Sequence, residues 1–249
     1  MKKLLVFVFI GFIAQLIDGS LGMAYGVTAT LSLLSTGVTP LAASAAVHAA
    51  EVITTGVSGL AHHFMRNIDR SLFLRLAIPG VFGGVAGALL LAQIPPQAAR
   101  IVVPAYLALM GIRILSRVRA AQVTNPNSGR LTPLALAGGF LDAIGGGGWG
   151  PIVVSTLIAR GGAPRYVIGT VNAAEFLVSL AITIAFFGAL GSQFTPITLG
   201  LIIGGVVAAP LAALAVQRIP RTLAMILVGI TVLLLALWNL VTAIMAYVE

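Results

Sequence analysis

Apolar residues fill long stretches of this chain, over positions 4–36, 40–64, 71–93, 97–116, 131–160, 165–190, 196–217 and 221–247, with short polar links between them. An α-helix needs about 20 apolar residues to cross a ~30 Å hydrocarbon core, whereas a soluble helix shows only an apolar stripe. The pattern predicts an all-α integral membrane protein, divided near its middle by the longest polar stretch, Arg117 to Arg130. Met1-Lys2-Lys3 and the apolar run after it imitate a secretory signal. Gln15 and Asp18 follow where small cleavage-site residues would be expected, so the run reads as a retained membrane segment.

Composition narrows the class. The 249 residues are 59% hydrophobic and 8% charged, with a mean hydropathy of +1.10, against about 25% charged residues in ordinary soluble domains. There is no cysteine, which removes disulfides, thiolate catalysis and Cys-ligated metal. Lysine occurs only at positions 2 and 3, so a P-loop is absent and ATP-driven work would fall to another subunit. The net charge of +8 marks membrane topology rather than nucleic-acid binding, because no basic cluster sits on a polar domain. Of the six acids, Asp69 lies in a polar loop and Glu249 at the end; Asp18, Glu51, Asp142 and Glu175 lie inside apolar sequence.

Those four acids belong to an internal repeat. A shift of 124 residues places Asp18 on Asp142, Gly22 on Gly146, Tyr25 on Trp149 and Gly26 on Gly150. Without a gap, Gly37 then falls on Gly161, Pro40 on Pro164, and Ala49-Ala50-Glu51 on Ala173-Ala174-Glu175. Between 18 and 51 ten of 34 positions are identical, and a one-residue insertion later matches Ile94-Pro95 to Ile219-Pro220. The expected organisation is a first repeat over 1–117, a cytoplasmic linker over 118–130 and a second repeat over 131–249.

Each repeat opens with a segment that makes a poor helix at its centre. Residues 4–36 as one helix would measure about 50 Å. Their middle reads Asp18-Gly-Ser-Leu-Gly-Met-Ala-Tyr-Gly26, and its counterpart is Asp142-Ala-Ile-Gly-Gly-Gly-Gly-Trp-Gly150-Pro151. Interior glycines cost about 1 kcal/mol each, and Pro151 suits the first turn of a new helix. Two short helices joined by a break are expected, as a kinked span or a re-entrant hairpin. Loop charge favours hairpins. With both segments spanning, nine Lys/Arg fall inside and five outside; with both as hairpins, eleven arginines (66, 70, 75, 113, 117, 119, 130, 160, 165, 218, 221) fall inside, leaving Lys2, Lys3 and Arg100 outside. The repeats are then inverted, each a broken hairpin followed by three transmembrane helices, with both termini outside the cytoplasm.

Irregular backbone at membrane depth must be buried by protein or line a wet cavity. The helix starting after each break points its positive end toward the membrane centre, which suits an anion. Substrate-binding candidates are therefore Gly22, Tyr25 and Gly26 with Gly146, Trp149 and Gly150; the two aromatics read equally as packing between the hairpins. Asp18 and Asp142 read either as proton-coupling groups or as caps on the second short helices. Glu51 and Glu175 each lie three residues after a polar neighbour, His48 and Asn172, on one helical face. Ionisable residues inside a membrane helix default to function, and a carboxyl passing between wet and dry surroundings can carry a proton; the alternative is a structural glutamate. His48 and Asn172 join the binding candidates. His62-His63 lack companion metal ligands and read as interfacial, so no metal site, cofactor or catalytic residue is expected. The glycine series 80, 83, 84, 87 and the pair 200, 204 read as close helix contacts, and Arg100 and Arg113 as side chains reaching toward the interface.

The paired breaks Ile17-Asp18-x3-Gly22-x2-Tyr25-Gly26 and Leu141-Asp142-x3-Gly146-x2-Trp149-Gly150, repeated around Glu51 and Glu175, resemble the TauE/SafE sulfite/organosulfonate exporter family, also called the toluene-sulfonate uptake permease family. The similarity covers essentially the whole chain. It implies a multi-pass bacterial or archaeal inner-membrane secondary transporter, an exporter of sulfite, sulfoacetate or other sulfonates. His48 opposite Asn172, and the Gly145–Gly148 run opposite a less glycine-rich first break, make the halves unequal. The reading that follows is a non-enzymatic carrier of small sulfur-containing anions with lipid and protons as its other partners. It works by alternating access around a midplane site between the breaks. A passive anion channel, or a cation carrier using the buried carboxylates, is the alternative.

Overall fold

A computed structural model of the chain describes residues 2–21, 23–118, 130–216 and 221–248. Linker residues 119–129, Gly22 and the stretch 217–220, which includes Arg218 and the Ile219-Pro220 match, lie outside them. The described residues form the helices α1 (Lys2–Leu21), α2 (Tyr25–Ser35), α3 (Pro40–Phe64), α4 (Arg70–Gln93), α5 (Pro96–Ser116), α6 (Leu131–Gly145), a π-helical turn Gly150–Val154 leading into α7 (Ser155–Ala159), α8 (Pro164–Leu190), α9 (Thr195–Val216) and α10 (Arg221–Val248). Among the described residues, α3, α4, α5, α8 and α10 are long and apolar enough to cross a membrane.

Local chemistry places the ends. Thr39 and Pro40 start α3, the threonine oxygen accepting the Ala42 N–H at 3.4 Å. Asp69 caps α4 by accepting the Ser71 and Leu72 N–H groups at 2.9 and 3.0 Å. Pro96 and Pro164 occupy the first turns of α5 and α8, where a missing N–H costs nothing. Gly37 and Gly161, repeat-related, end the returning segments with the same left-handed backbone, φ +86° and +87°. The distribution of side chains is inside-out: Val57, Phe82, Ile184 and Trp238 are exposed while His48, Glu51, Asp142 and Ser179 are buried, as a lipid solvent requires.

Helix contacts fix the running directions. α1 lies along α9, with Gly200 against Phe7, Gly204 against Val8 and Phe12, and Gly205 beside Gln15, so the two are parallel. α9 is also parallel to α3, through Thr198 to Ala46 and Gly205 beside Thr54. In the same way α6 and α8 both run parallel to α4, where Gly83 and Gly87 meet Leu136 and Phe140, and Gly80 and Gly84 meet Val178 and Ile182. These glycines serve as the close helix contacts their spacing implied. Because α1 and α3 point the same way, the chain must turn back between them, and α2 makes the return. The π-turn and α7 do the same between α6 and α8. The helices that correspond under the 124-residue shift pack antiparallel: α3 on α8, with Gly56 at Phe176 and Gly59 at Ala173, and α5 on α10, with Gly111 at Val232 and Leu115 at Gly229.

This arrangement brings Arg113, Arg165 and the turn carrying Arg66 and Arg70 to one end, while Arg100 lies at the other, near Asn239. Arg165 donates to Asn67 at 2.5 Å, the Asp69 N–H to Thr170 at 2.9 Å, and Arg113 to Thr156 at 2.6 Å, joining the ends of α3, α5, α7 and α8. The opposite end is tied by Asn239 of α10, which donates to Leu31 O and to Ser35 at 3.2 and 3.0 Å.

Candidate transport site

The two breaks cross at the centre of the bundle. Gly26 and Gly147 touch backbone to backbone; a β-carbon on Gly26 would lie 2.7 Å from the Gly147 Cα. Thr30 of α2 donates to Gly146 O at 2.5 Å, and Ser44 of α3 donates to Ala143 O at 2.6 Å, so carbonyls freed at the second break are satisfied from the first half of the chain.

Both aspartates do the same local work. Asp18 accepts the Tyr25 N–H at 3.2 Å and Asp142 the Trp149 N–H at 2.9 Å, each across seven residues. A carboxylate thus sits at the start of each returning helix, where the dipole favours negative charge. The N–H groups of Gly26 and Val27, in the first turn of α2, have no carbonyl within the helix to bond.

A cavity of about 250 Å³ opens beside the crossing. Asp18, Glu51, Asp142 and Glu175 all line it, together with Tyr25, Gly26, Gly147, Gly148, Gly150 and Asn172. From Glu51 it continues along Thr55, Ser58 and His62 of α3 and along Asn172 and Ile168 of α8, toward the arginine-rich end. Glu51 is 3% exposed and accepts one long bond, 3.5 Å from Ser179.

Of the other candidates, Tyr25 and Asn172 line the cavity, whereas Trp149, Gly146 and His48 do not. Trp149 is fully buried, its ring against Gly80 and Gly138 and its indole N–H donating to Val171 O at 3.4 Å. Gly146 sits in the left-handed turn that ends α6, φ +64°. His48 is fully buried between Ser44, Asp142 and the Phe186 ring. Asn172 donates to Ser58 at 2.9 Å on the cavity wall. Tyr25 is buried with its hydroxyl unbonded. His48, Glu51 and Asp142 bring donor atoms within 4.8 Å of one another. The His48 ring lies 3.2 Å from Asp142, within hydrogen-bonding distance.

Sequence reasoning missed the polar stripe Glu51, Thr55, Ser58, His62. Its spacing of four, three and four puts it on one face of α3, a signal that was there to read. His62 and His63 also part: the first lines the cavity and bonds Asn67 at 3.2 Å, the second is exposed. Arg113 reaches inward, donating to Pro151 O at 3.0 Å as well as to Thr156, and so holds the returning segment after the second break.

A bundle of lipid-facing helices around two meeting helix breaks and a polar central cavity is the architecture of a multi-pass membrane transporter. Comparison with known proteins agrees. The family model for the sulfite exporter TauE/SafE matches residues 7–238, and the chain belongs to that family. It is 44% identical over 239 residues to YtnM of Bacillus subtilis (strain 168), described as a probable membrane transporter protein, covering 92% of this chain and 80% of that one. No solved structure matches.

Proposed function

We propose that this protein is an inner-membrane secondary transporter that exports small sulfur-containing anions, such as sulfite, sulfoacetate or another organosulfonate, by alternating access around the crossing of the two breaks. The observation that carries the reading is the shared cavity: both breaks and all four membrane-embedded acids meet at one space of about 250 Å³, the size of a small anion with a few waters. The anion would be held by the first-turn N–H groups of α2 and by Asn172, with Tyr25 against it. Four carboxylates in one wall repel an anion unless protons neutralise them, so Glu51 and Glu175 would exchange protons during the cycle.

The antiparallel packing of α3 on α8 and of α5 on α10 supports inverted repeats, and the chain reversal at each break supports re-entrant hairpins whose tips meet mid-membrane. With the arginine-rich end in the cytoplasm, the cavity opens inward and both termini lie outside. Flux of sulfite or sulfoacetate into proteoliposomes tests the function. Saturable counterflow is expected; flux no faster than in empty liposomes for every sulfur anion tried removes the proposal, and conductance without saturation turns it into a channel.

One observation favours a second reading. Among the described residues, His62 is the one basic side chain lining the cavity against four acids, which also suits a cation carrier. Thermal stabilisation by an alkali or divalent cation, lost in Asp18→Asn, would establish it.

A further inference from the structure

The contact between His48 and Asp142 has a proton count that its geometry fixes. Nδ1 of His48 lies 2.8 Å from the Ser44 carbonyl, which can only accept. The Ser44 hydroxyl, 3.3 Å from the same nitrogen, already donates to Ala143 O. Nδ1 therefore carries a hydrogen, a tautomer assigned from the bonding network. Nε2 lies 3.2 Å from Asp142 Oδ2, whose carboxylate is 1% exposed. A bare Nε2 lone pair facing an ionised carboxylate in that buried place would be repulsive. The contact closes only with a proton between them, on the ring as imidazolium or on the oxygen as the acid. Closure thus takes up one proton relative to a neutral ring and a free carboxylate.

The repeat supplies the comparison. Under the 124-residue shift Asn172 stands where His48 does and Asp18 where Asp142 does. That pair is apart: Asn172 bonds Ser58, Asp18 bonds the Tyr25 N–H, and both line the cavity. The cavity lies where the second copy of the contact is open, and the first copy is shut. An asparagine amide can donate to an ionised carboxylate, so the second copy needs no proton to close.

We propose that the His48–Asp142 contact is a proton-binding site that holds the second break shut in this state, and that Asn172–Asp18 is its repeat-related counterpart, closed without a proton when the cavity opens to the opposite face. This rests on the alternating-access reading above. Other titratable or charged groups surround the pair: Glu51 on α3, Glu175 on α8, and Tyr106 with Arg113 beyond it on α5 interact with Asp142, and Asp18 on α1 and Tyr25 on α2 line the same cavity. They remain in the variants that follow, so any response they cause survives there.

The cysteine-free chain allows a test that needs no substrate. Thr55 lines the cavity and its repeat counterpart Ser179 is fully buried. Single variants Thr55→Cys and Ser179→Cys are labelled with a thiol reagent at a series of pH values, and their rates are compared as a ratio, which cancels the reagent's own pH response. The ratio of 55 to 179 is expected to rise as pH falls, by up to about tenfold per unit, the limit for one proton. His48→Asn should flatten the slope. Asn172→His alone, with a proton then taken up on either closure, should also flatten it, and exchanging the two residues should reverse its sign. A slope that persists in His48→Asn, or in Asn172→His should the first variant not fold, overturns the proton assignment. A residue 179 that never reacts from either face overturns alternating access itself, so the two failures are distinguishable.

Discussion

Gly26 and Gly147 lie in direct backbone contact, one from each helix break, and both line the cavity. A β-carbon on either residue would overlap the other strand of backbone. Gly26→Ala is expected to lower the melting temperature in detergent, an overpacking cost of about 1–3 kcal/mol, and to reduce sulfite flux at least tenfold. Gly188→Ala is the control, because a β-carbon there meets nothing within 4 Å. Equal stability of the two variants would place the crossing elsewhere.

Glu51 and Glu175 are expected to link flux to the proton gradient. On the proposed cycle, in which protons neutralise the wall while the anion is bound, flux should be fastest when the compartment the anion leaves is the more acid. Glu51→Gln and Glu175→Gln remove a titratable group each while keeping its shape. In proteoliposomes each should weaken the response to an imposed pH gradient, and the double variant should weaken it further, leaving the part carried by the His48–Asp142 contact. An undiminished response in the double variant would remove both glutamates from the coupling.

The two aspartates should differ in structural weight. Asp18→Ala removes one cap, at a cost of about 1 kcal/mol. Asp142→Ala strips a buried ring of its partner as well as the Trp149 N–H, so a larger loss, roughly 2–4 kcal/mol, is expected. Thermal unfolding of the two variants side by side measures the difference; an equal or reversed order would show that the His48 contact adds nothing to stability.

Arg113 should behave as a positioning residue for the second break. Arg113→Met removes bonds to Pro151 O and Thr156 Oγ1 while keeping an apolar stem. The expected result is a loss of about 1–3 kcal/mol, with the apparent KM for the anion raised more than kcat is lowered. A pure kcat effect at unchanged stability would contradict it.

Topology is open to a direct measurement. Thr39 and Ala163 are repeat-related, exposed, and stand at corresponding turns. Single cysteines there should be labelled by an impermeant reagent from opposite faces of the membrane, Thr39→Cys from outside and Ala163→Cys from inside. Labelling from one common face would exclude inverted repeats.

The chain by itself determined a good deal. Uninterrupted apolar runs, glycine clusters and prolines at helix starts act through hydropathy and backbone conformation, which are local, so the helices, both breaks and the 124-residue repeat could be read along the sequence. The capping role of the aspartates was also within reach, because Asp18 and Tyr25, like Asp142 and Trp149, are only seven residues apart. What the tertiary structure alone decided is everything that joins the halves. That Trp149 packs against Gly80, that His48 reaches Asp142 while Asn172 turns to Ser58, and that the stripe from Glu51 to His62 lines a cavity depend on how α3, α6 and α8 cross. The sequence shows that the two copies differ at His48 and Asn172, but only packing makes one contact closed and the other open.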